Sequence, residues 1–155
     1  MKITATKISQ WAKTKKAQAT LPWLIRRLVH TVGKPTEADF PAGDSTGLPG
    51  WDGELVSESG SAWIPKGKSY WEFSCEAAAT RKANKDYEKR TRKTFKKIRS
   101  KAILVVVTAR KWSQKKAWLK KKRQAKKWAA VRAYDADDIE PVSYTHLTLP
   151  TNREV

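Results

Sequence analysis

The sequence predicts an α/β domain in which a central sheet is flanked by helices. Three observations carry this. Ala102–Thr108 (AILVVVT) is β-branched, uncharged and bounded by Lys101 and Arg110, the signature of a buried strand. Gly50–Ser74 (GWDGELVSESGSAWIPKGKSYWEFS) reads as two short strands, Leu55–Ser57 and Tyr70–Ser74, joined by a Gly/Pro turn. Segments with helical periodicity lie before, between and after these strands, so strands alternate with helices along the chain.

Residues 1–19 form a basic N-terminal segment with Ile8 and Trp11 as packing points on a short helix. Thr20 is the expected N-cap of the next helix, with Pro22 tolerated in its first turn. Leu21, Leu24, Ile25 and Leu28 recur at helical spacing, and Gly33 with Pro35 ends the pattern. Arg26 and Arg27 fall on the opposite face. His30 sits in the last turn, where a solvated or dipole-paired histidine is the plain reading and a metal or catalytic role the alternative. Residues 34–50 read as loop, in which Asp44 is either a turn residue or a metal ligand. Glu76–Thr80 is a connection or helix start. Residues 81–100 form a basic helix with Ala83, Tyr87, Phe95 and Ile98 inward. A second basic helix spans Trp112–Lys127 with Ser113 as its cap, and Trp128–Tyr134 is a last strand. Asp135 then opens a turn toward a helix that, on the sequence, never arrives. Trp23, Trp71 and Trp128 are assigned to the core. Trp112 and Trp118 pack beneath their helix in preference to stacking on bases.

The charge balance bounds the partners. The chain has 33 basic and 15 acidic residues, a net charge of +18, which points to nucleic acid or another anionic surface. Between Arg81 and Lys127 there are 21 basic residues and two acids, Asp86 and Glu88, too one-sided for an ordinary solvated face. Eight tryptophans argue for a packed binding or enzyme-like domain over a histone-like or ribosomal tail. Cys75 is the single cysteine, so no internal disulfide forms. No apolar stretch resembles a signal peptide or a membrane span, so a soluble cytoplasmic protein with no membrane partner is expected.

Two acids carry the chemistry. Asp52 heads the first strand of the hairpin and Glu72 lies inside the second, between Trp71 and Phe73. A carboxylate in that setting is expensive to desolvate unless a cation or hydrogen bonds compensate it. Two such carboxylates on neighbouring strands make an oxygen-rich site for a hard divalent ion, Mg²⁺ or Mn²⁺ in preference to Zn²⁺.

The order helix, loop, strand with Asp52, strand with Glu72, helix, strand resembles the core of the PD-(D/E)xK restriction-endonuclease-like nucleases. The longer pattern Gly50-Trp51-Asp52-Gly53, Pro65-x-Gly67-x-Ser69-x-Trp71-Glu72-x-Ser74 and Lys82-Ala83-x-x-Asp86-Tyr87-x-x-Arg90 resembles a bacterial subgroup of them. In that subgroup the module stands at the N-terminus of large proteins, often of defence type, with an NTPase or sensor region downstream. The resemblance spans residues 20–140. It implies a restriction-endonuclease-like core with a mixed central sheet, and Mg²⁺-dependent endodeoxyribonuclease activity with Asp52 and Glu72 as catalytic metal ligands. It departs at Ser74, which stands where a catalytic lysine is usual. Lys82 is then the leading substitute, with Lys85 and Lys68 as others. Arg81, Lys85, Lys89, Arg90, Lys93, Lys115 and Lys116 are expected to bind nucleic acid, DNA before RNA. A catalytically silent nucleic-acid-binding module of the same fold is the rival reading. A basic adaptor for protein or anionic membrane is disfavoured, since no basic helix has a bulky apolar face.

Residues 142–155 (VSYTHLTLPTNREV) resemble the translation of a transposase-based sequencing-library adapter. This implies a nuclease-like domain over residues 20–141, truncated at its C-terminal end, and a non-native tail that packs nowhere. The natural chain would continue instead, with any oligomer formed through that missing region.

Overall fold

In the computed structural model, residues 4–32, 35–40 and 51–143 are described. A five-stranded mixed sheet in the order β1-β2-β3-β4-β5 forms the centre. The strands are β1 (Glu37–Asp39), β2 (Gly53–Ser57), β3 (Gly67–Ser74), β4 (Ile103–Thr108) and β5 (Ala130–Tyr134). β1, β2 and β3 are antiparallel, whereas β3, β4 and β5 run parallel. The helices are α1 (Ala5–Trp11), α2 (Ala17–Val32), α3 (Ala79–Lys93), α4 (Lys96–Arg99), α5 (Lys115–Gln124) and α6 (Ala136–Ser143).

Strand alternation sorts the core into two layers. Leu55, Trp71, Phe73, Val105 and Val107 face α1, α2 and α6, where they meet Ile8, Leu21, Leu24, Ile25, Leu28 and Ile139. Leu104, Val106, Val131 and Ala133 face the other way, onto Ala83 and Tyr87 of α3 and onto Trp112, Trp118 and Trp128. Because Glu72 alternates with Trp71 and Phe73, it lies on this second face, beneath α3. The two tryptophans assigned beneath the second basic helix are there. Their indole N–H groups donate to Thr80 Oγ1 (Trp112, 2.8 Å) and Asn84 Oδ1 (Trp118, 2.9 Å), while Trp128 donates to Thr91 Oγ1 at 2.9 Å. α3 is thus held over the sheet by three indoles that satisfy their polar ends as they bury their rings.

Several sequence expectations need correction. α2 starts at Ala17, so Thr20 lies inside the helix and its hydroxyl donates back to the Lys16 carbonyl at 2.9 Å. Pro22 is accordingly in the second turn. Trp23 is 41% exposed, since its position falls outside the Leu21–Leu24–Ile25–Leu28 stripe, and the Arg27 guanidinium covers its ring at 5.0 Å. The segment expected to be loop contains β1, a short polar edge strand. The basic helix expected over residues 81–100 breaks at Thr94, whose backbone is extended. Phe95 and Ile98 are then 78% and 43% exposed, not inward, because nothing apolar precedes them to carry the buried stripe beyond Tyr87. α5 begins after Gln114 with no side-chain cap, not at Ser113. The helix after Asp135 does form. Asp135 Oδ1 accepts from the Asp138 N–H at 3.3 Å and Asp138 Oδ2 from the Asp135 N–H at 2.9 Å, a reciprocal capping box that starts α6. α6 continues through residues 142–143; Asp44 and residues 144–155 lie outside the described residues. Among the described residues no helix is long and apolar enough to cross a membrane.

Candidate active site

Gly53 pairs with Trp71 in the β2–β3 ladder. One step further along that register, Asp52 stands opposite Glu72, on the same face of the sheet and close enough to share a hydrogen bond. Asp52 is fixed from below, because its Oδ2 accepts from the Phe73 N–H at 2.9 Å. On the opposite face of the sheet, Gly53 leaves room for Phe40. A Cβ there would lie 2.5 Å from the buried Phe40 ring, which itself packs edge-on to Trp71 at 5.8 Å.

α3 roofs the acid pair with three residues spaced by four, Lys82, Asp86 and Arg90, which form one row along the helix. Arg90 Nε donates to Glu72 Oε1, and both side chains are nearly buried. Its guanidinium also lies 4.7 Å from the centre of the Trp51 ring. Lys82 Nζ lies 2.6 Å from Asp86 Oδ1. The neighbouring row, Arg81, Lys85, Lys89 and Lys93, is exposed, and the row of Ala83 and Tyr87 faces the core. A single helix therefore presents core, site and solvent rows side by side.

The electrostatics follow from this crowding. Glu72 is only 3% exposed. Burial, and then the hydrogen bond and charge of Asp52, push its pKa up to about 9 against the lowering effect of Arg90. The neutral form of Glu72 is thereby favoured, with Arg90 opposing. Asp86 is raised as well, by burial above all and also by the charge of Asp52, with Lys82 and Arg90 opposing. For Lys82, burial favours the neutral amine, but Asp86, Glu76 and Glu72 outweigh it and hold the ammonium form. Three acids and two cations interact within one corner at the C-terminal end of β3, the end of a parallel sheet where open α/β folds place their ligands.

The other residues singled out from the sequence are engaged elsewhere or exposed. Ser74 is buried and its Oγ accepts from the Glu76 N–H at 3.0 Å. Lys68 pairs with Glu54 at 3.4 Å and covers the Tyr70 ring. Lys85 is exposed, which leaves Lys82, paired with Asp86, as the lysine that feels the charge of Glu72. Lys115 is drawn into Asp135 at 3.1 Å and into Asp138, tying α5 to the start of α6. Lys116 and His30 are exposed. Sequence reasoning did not assign Asp86 to the site and placed Arg90 on nucleic acid. The four-residue spacing of Lys82, Asp86 and Arg90 was the available signal.

Among the described residues no group of three or more His, Cys, Asp or Glu side chains is arranged to hold a metal ion. The Asp52–Glu72 pair suits a hard ion that keeps most of its water, since Mg²⁺ is commonly held by one or two carboxylates. The chain matches no family model, no curated protein and no solved structure.

Proposed function

We propose that the domain hydrolyses phosphodiester bonds in nucleic acid, DNA in the first instance, with Mg²⁺ or Mn²⁺ held by Asp52 and Glu72. One observation carries the reading: the two acids stand in register on the same face, with Arg90 of α3 donating to Glu72 and the Lys82–Asp86 pair of the same helix beside them. When bound, such an ion polarises a phosphoryl oxygen and acidifies water. Holding the ion would need both carboxylates ionised, so Glu72 would release its proton to solvent on loading. Lys82, held charged by Asp86, orients water or neutralises charge on the phosphate, the task that Ser74 cannot perform. Arg90 keeps Glu72 in place. Arg81, Lys85, Lys89 and Lys93 form a stripe on the exposed side of α3 from which phosphates are contacted without regard to sequence. The resemblance to restriction-endonuclease-like nucleases, Asp52 and Glu72 included, supports the same conclusion, as does its implication of an effector module within a larger bacterial protein.

The alternative is a silent binding module of the same fold. Ser74 and the closure of Arg90 onto Glu72 favour it. Incubation of labelled DNA with Mg²⁺ decides between them. Cleavage by the wild type that is lost in Asp52→Asn and Glu72→Gln, with DNA affinity within about threefold of wild type, supports hydrolysis, since phosphate contacts lie elsewhere. A wild type that binds and never cuts leaves the silent module.

A further inference from the structure

Where α3 breaks, a cleft of about 670 Å³ opens between α4 and the end of α5. Its lining includes Arg92, Lys96, Arg99, Lys126 and Lys127 and contains no carboxylate. Arg99 is built into its wall, with Nε donating to the Thr94 carbonyl at 2.9 Å and Nη1 to the Lys127 carbonyl at 2.7 Å. Phe95 also lines the cleft and is 78% exposed.

We propose that this cleft binds single-stranded nucleic acid, with a base stacked on Phe95 and the adjoining phosphates on Arg92, Lys96, Lys126 and Lys127. The proposal rests on the reading of the partner as nucleic acid, not on catalysis. Cations near helix C-termini are ordinary, because they complement the carbonyl end of the dipole. That effect explains charge alone. It does not account for a phenylalanine ring left in water amid lysines, which is the pairing of aromatic face and backbone-tracking charge that unpaired strands use. Nor does it account for Lys126, whose φ is 53°. Just past the α5 cap Ala125, this left-handed position favours glycine. A lysine there accepts a backbone cost and places an ammonium on the cleft. A duplex keeps its bases stacked on one another and has no free face for Phe95, so the single strand is the better fit.

The cleft adjoins the acid pair. Arg90 covers Trp51, Trp51 meets Trp128 edge-on at 6.0 Å, and Trp128 bonds Thr91, a lining residue of the cleft. A strand held on Phe95 therefore lies along the same end of α3 that roofs Glu72.

The test measures fluorescence anisotropy in EDTA, where nothing is cut, using labelled oligothymidylate and a duplex of equal length. Phe95→Ala is expected to weaken single-strand binding by roughly 5- to 100-fold while duplex affinity changes less than about twofold, and Phe95→Trp to restore the single-strand value. Lys126→Gly should reduce the log–log salt slope for the single strand by about 0.7. Unchanged single-strand affinity in Phe95→Ala, equal losses on both ligands, or polyglutamate displacing the oligonucleotide at equal charge concentration would overturn the proposal. Failure of the nuclease reading appears in the Asp52→Asn cleavage assay instead, and neither assay depends on the other.

Discussion

The Lys82 ammonium lies 2.6 Å from the Asp86 carboxylate one turn further along α3, and both residues interact with the acids of the sheet below. Asp86 thereby holds Lys82 charged and in place. For hydrolysis at Asp52 and Glu72, Lys82→Met should slow cleavage by roughly 100-fold or more, with DNA affinity changed less than about threefold, the pattern of a group acting in the transition state. Asp86→Asn should give a smaller loss of the same kind. Single-turnover rates alongside binding isotherms separate the two effects. Equal losses in rate and affinity for Lys82→Met would instead place this lysine among ordinary phosphate contacts.

Glu72 has a pKa pushed up to about 9, against 4.5 for a free glutamate, so its neutral form is favoured by folding. Between those values the unfolded chain has lost a proton that the native state keeps. Stability from this group is therefore complete below 4.5 and is lost as pH rises toward 9. Glu72→Gln, always neutral, should be more stable than wild type by on the order of 2 to 4 kcal/mol at pH 7 in EDTA. The gap should close toward pH 4. Urea unfolding of both proteins across this range checks it, and parallel stability curves would contradict a buried Glu72 held in its neutral form.

The layout of strands and the two core layers could be read in the sequence because apolar alternation and helical spacing are strong there. Trp71, Leu104–Val107 and Leu21–Leu28 needed no tertiary information. The acid pair was legible for a related reason. Asp52 immediately precedes β2 and Glu72 lies in the adjacent β3, so a same-face placement was one of only two choices. What failed were positions where local pattern and packing part company. Trp23 is a large apolar residue one place off a buried stripe. Phe95 and Ile98 sit beyond a break set by tertiary packing, since helical spacing alone extends the helix through Thr94. Arg90 belongs to a run of cations that looks uniform in sequence. The contact with Glu72 beneath α3 distinguishes it from Lys89, and in the sequence only its four-residue spacing from Asp86 and Lys82 hints at this.

Binding of a hard ion by Asp52 and Glu72 should be visible without cleavage. Mg²⁺ or Mn²⁺ at 100 times its Kd is expected to stabilise the native state by about 2.7 kcal/mol, read as a rise in Tm. Asp52→Asn and Glu72→Gln should each remove most of that rise. Ca²⁺ serves as a comparison, since its preference for more ligands than two carboxylates supply should weaken its effect. An equal rise in wild type and Asp52→Asn would locate the ion elsewhere on the molecule.

Lys126 makes stability and binding move in opposite directions. Its φ of 53° places an L-residue in the left-handed region at the end of α5, where glycine avoids the clash of Cβ with the backbone. The Lys126 N–H donates to the Arg123 carbonyl at 3.3 Å, so the turn itself does not require the side chain. Lys126→Gly should therefore stabilise the domain by about 0.5 to 1 kcal/mol, as substitutions to glycine at such helix ends do. Lys126→Ala keeps a Cβ and should leave stability close to wild type. Both variants remove the ammonium from the cleft, so both should bind single strands more weakly than wild type, by similar factors. Thermal melts and anisotropy on the same preparations read the two quantities together. A Lys126→Gly protein that gained stability and kept full single-strand affinity would show the left-handed lysine to be unrelated to the cleft.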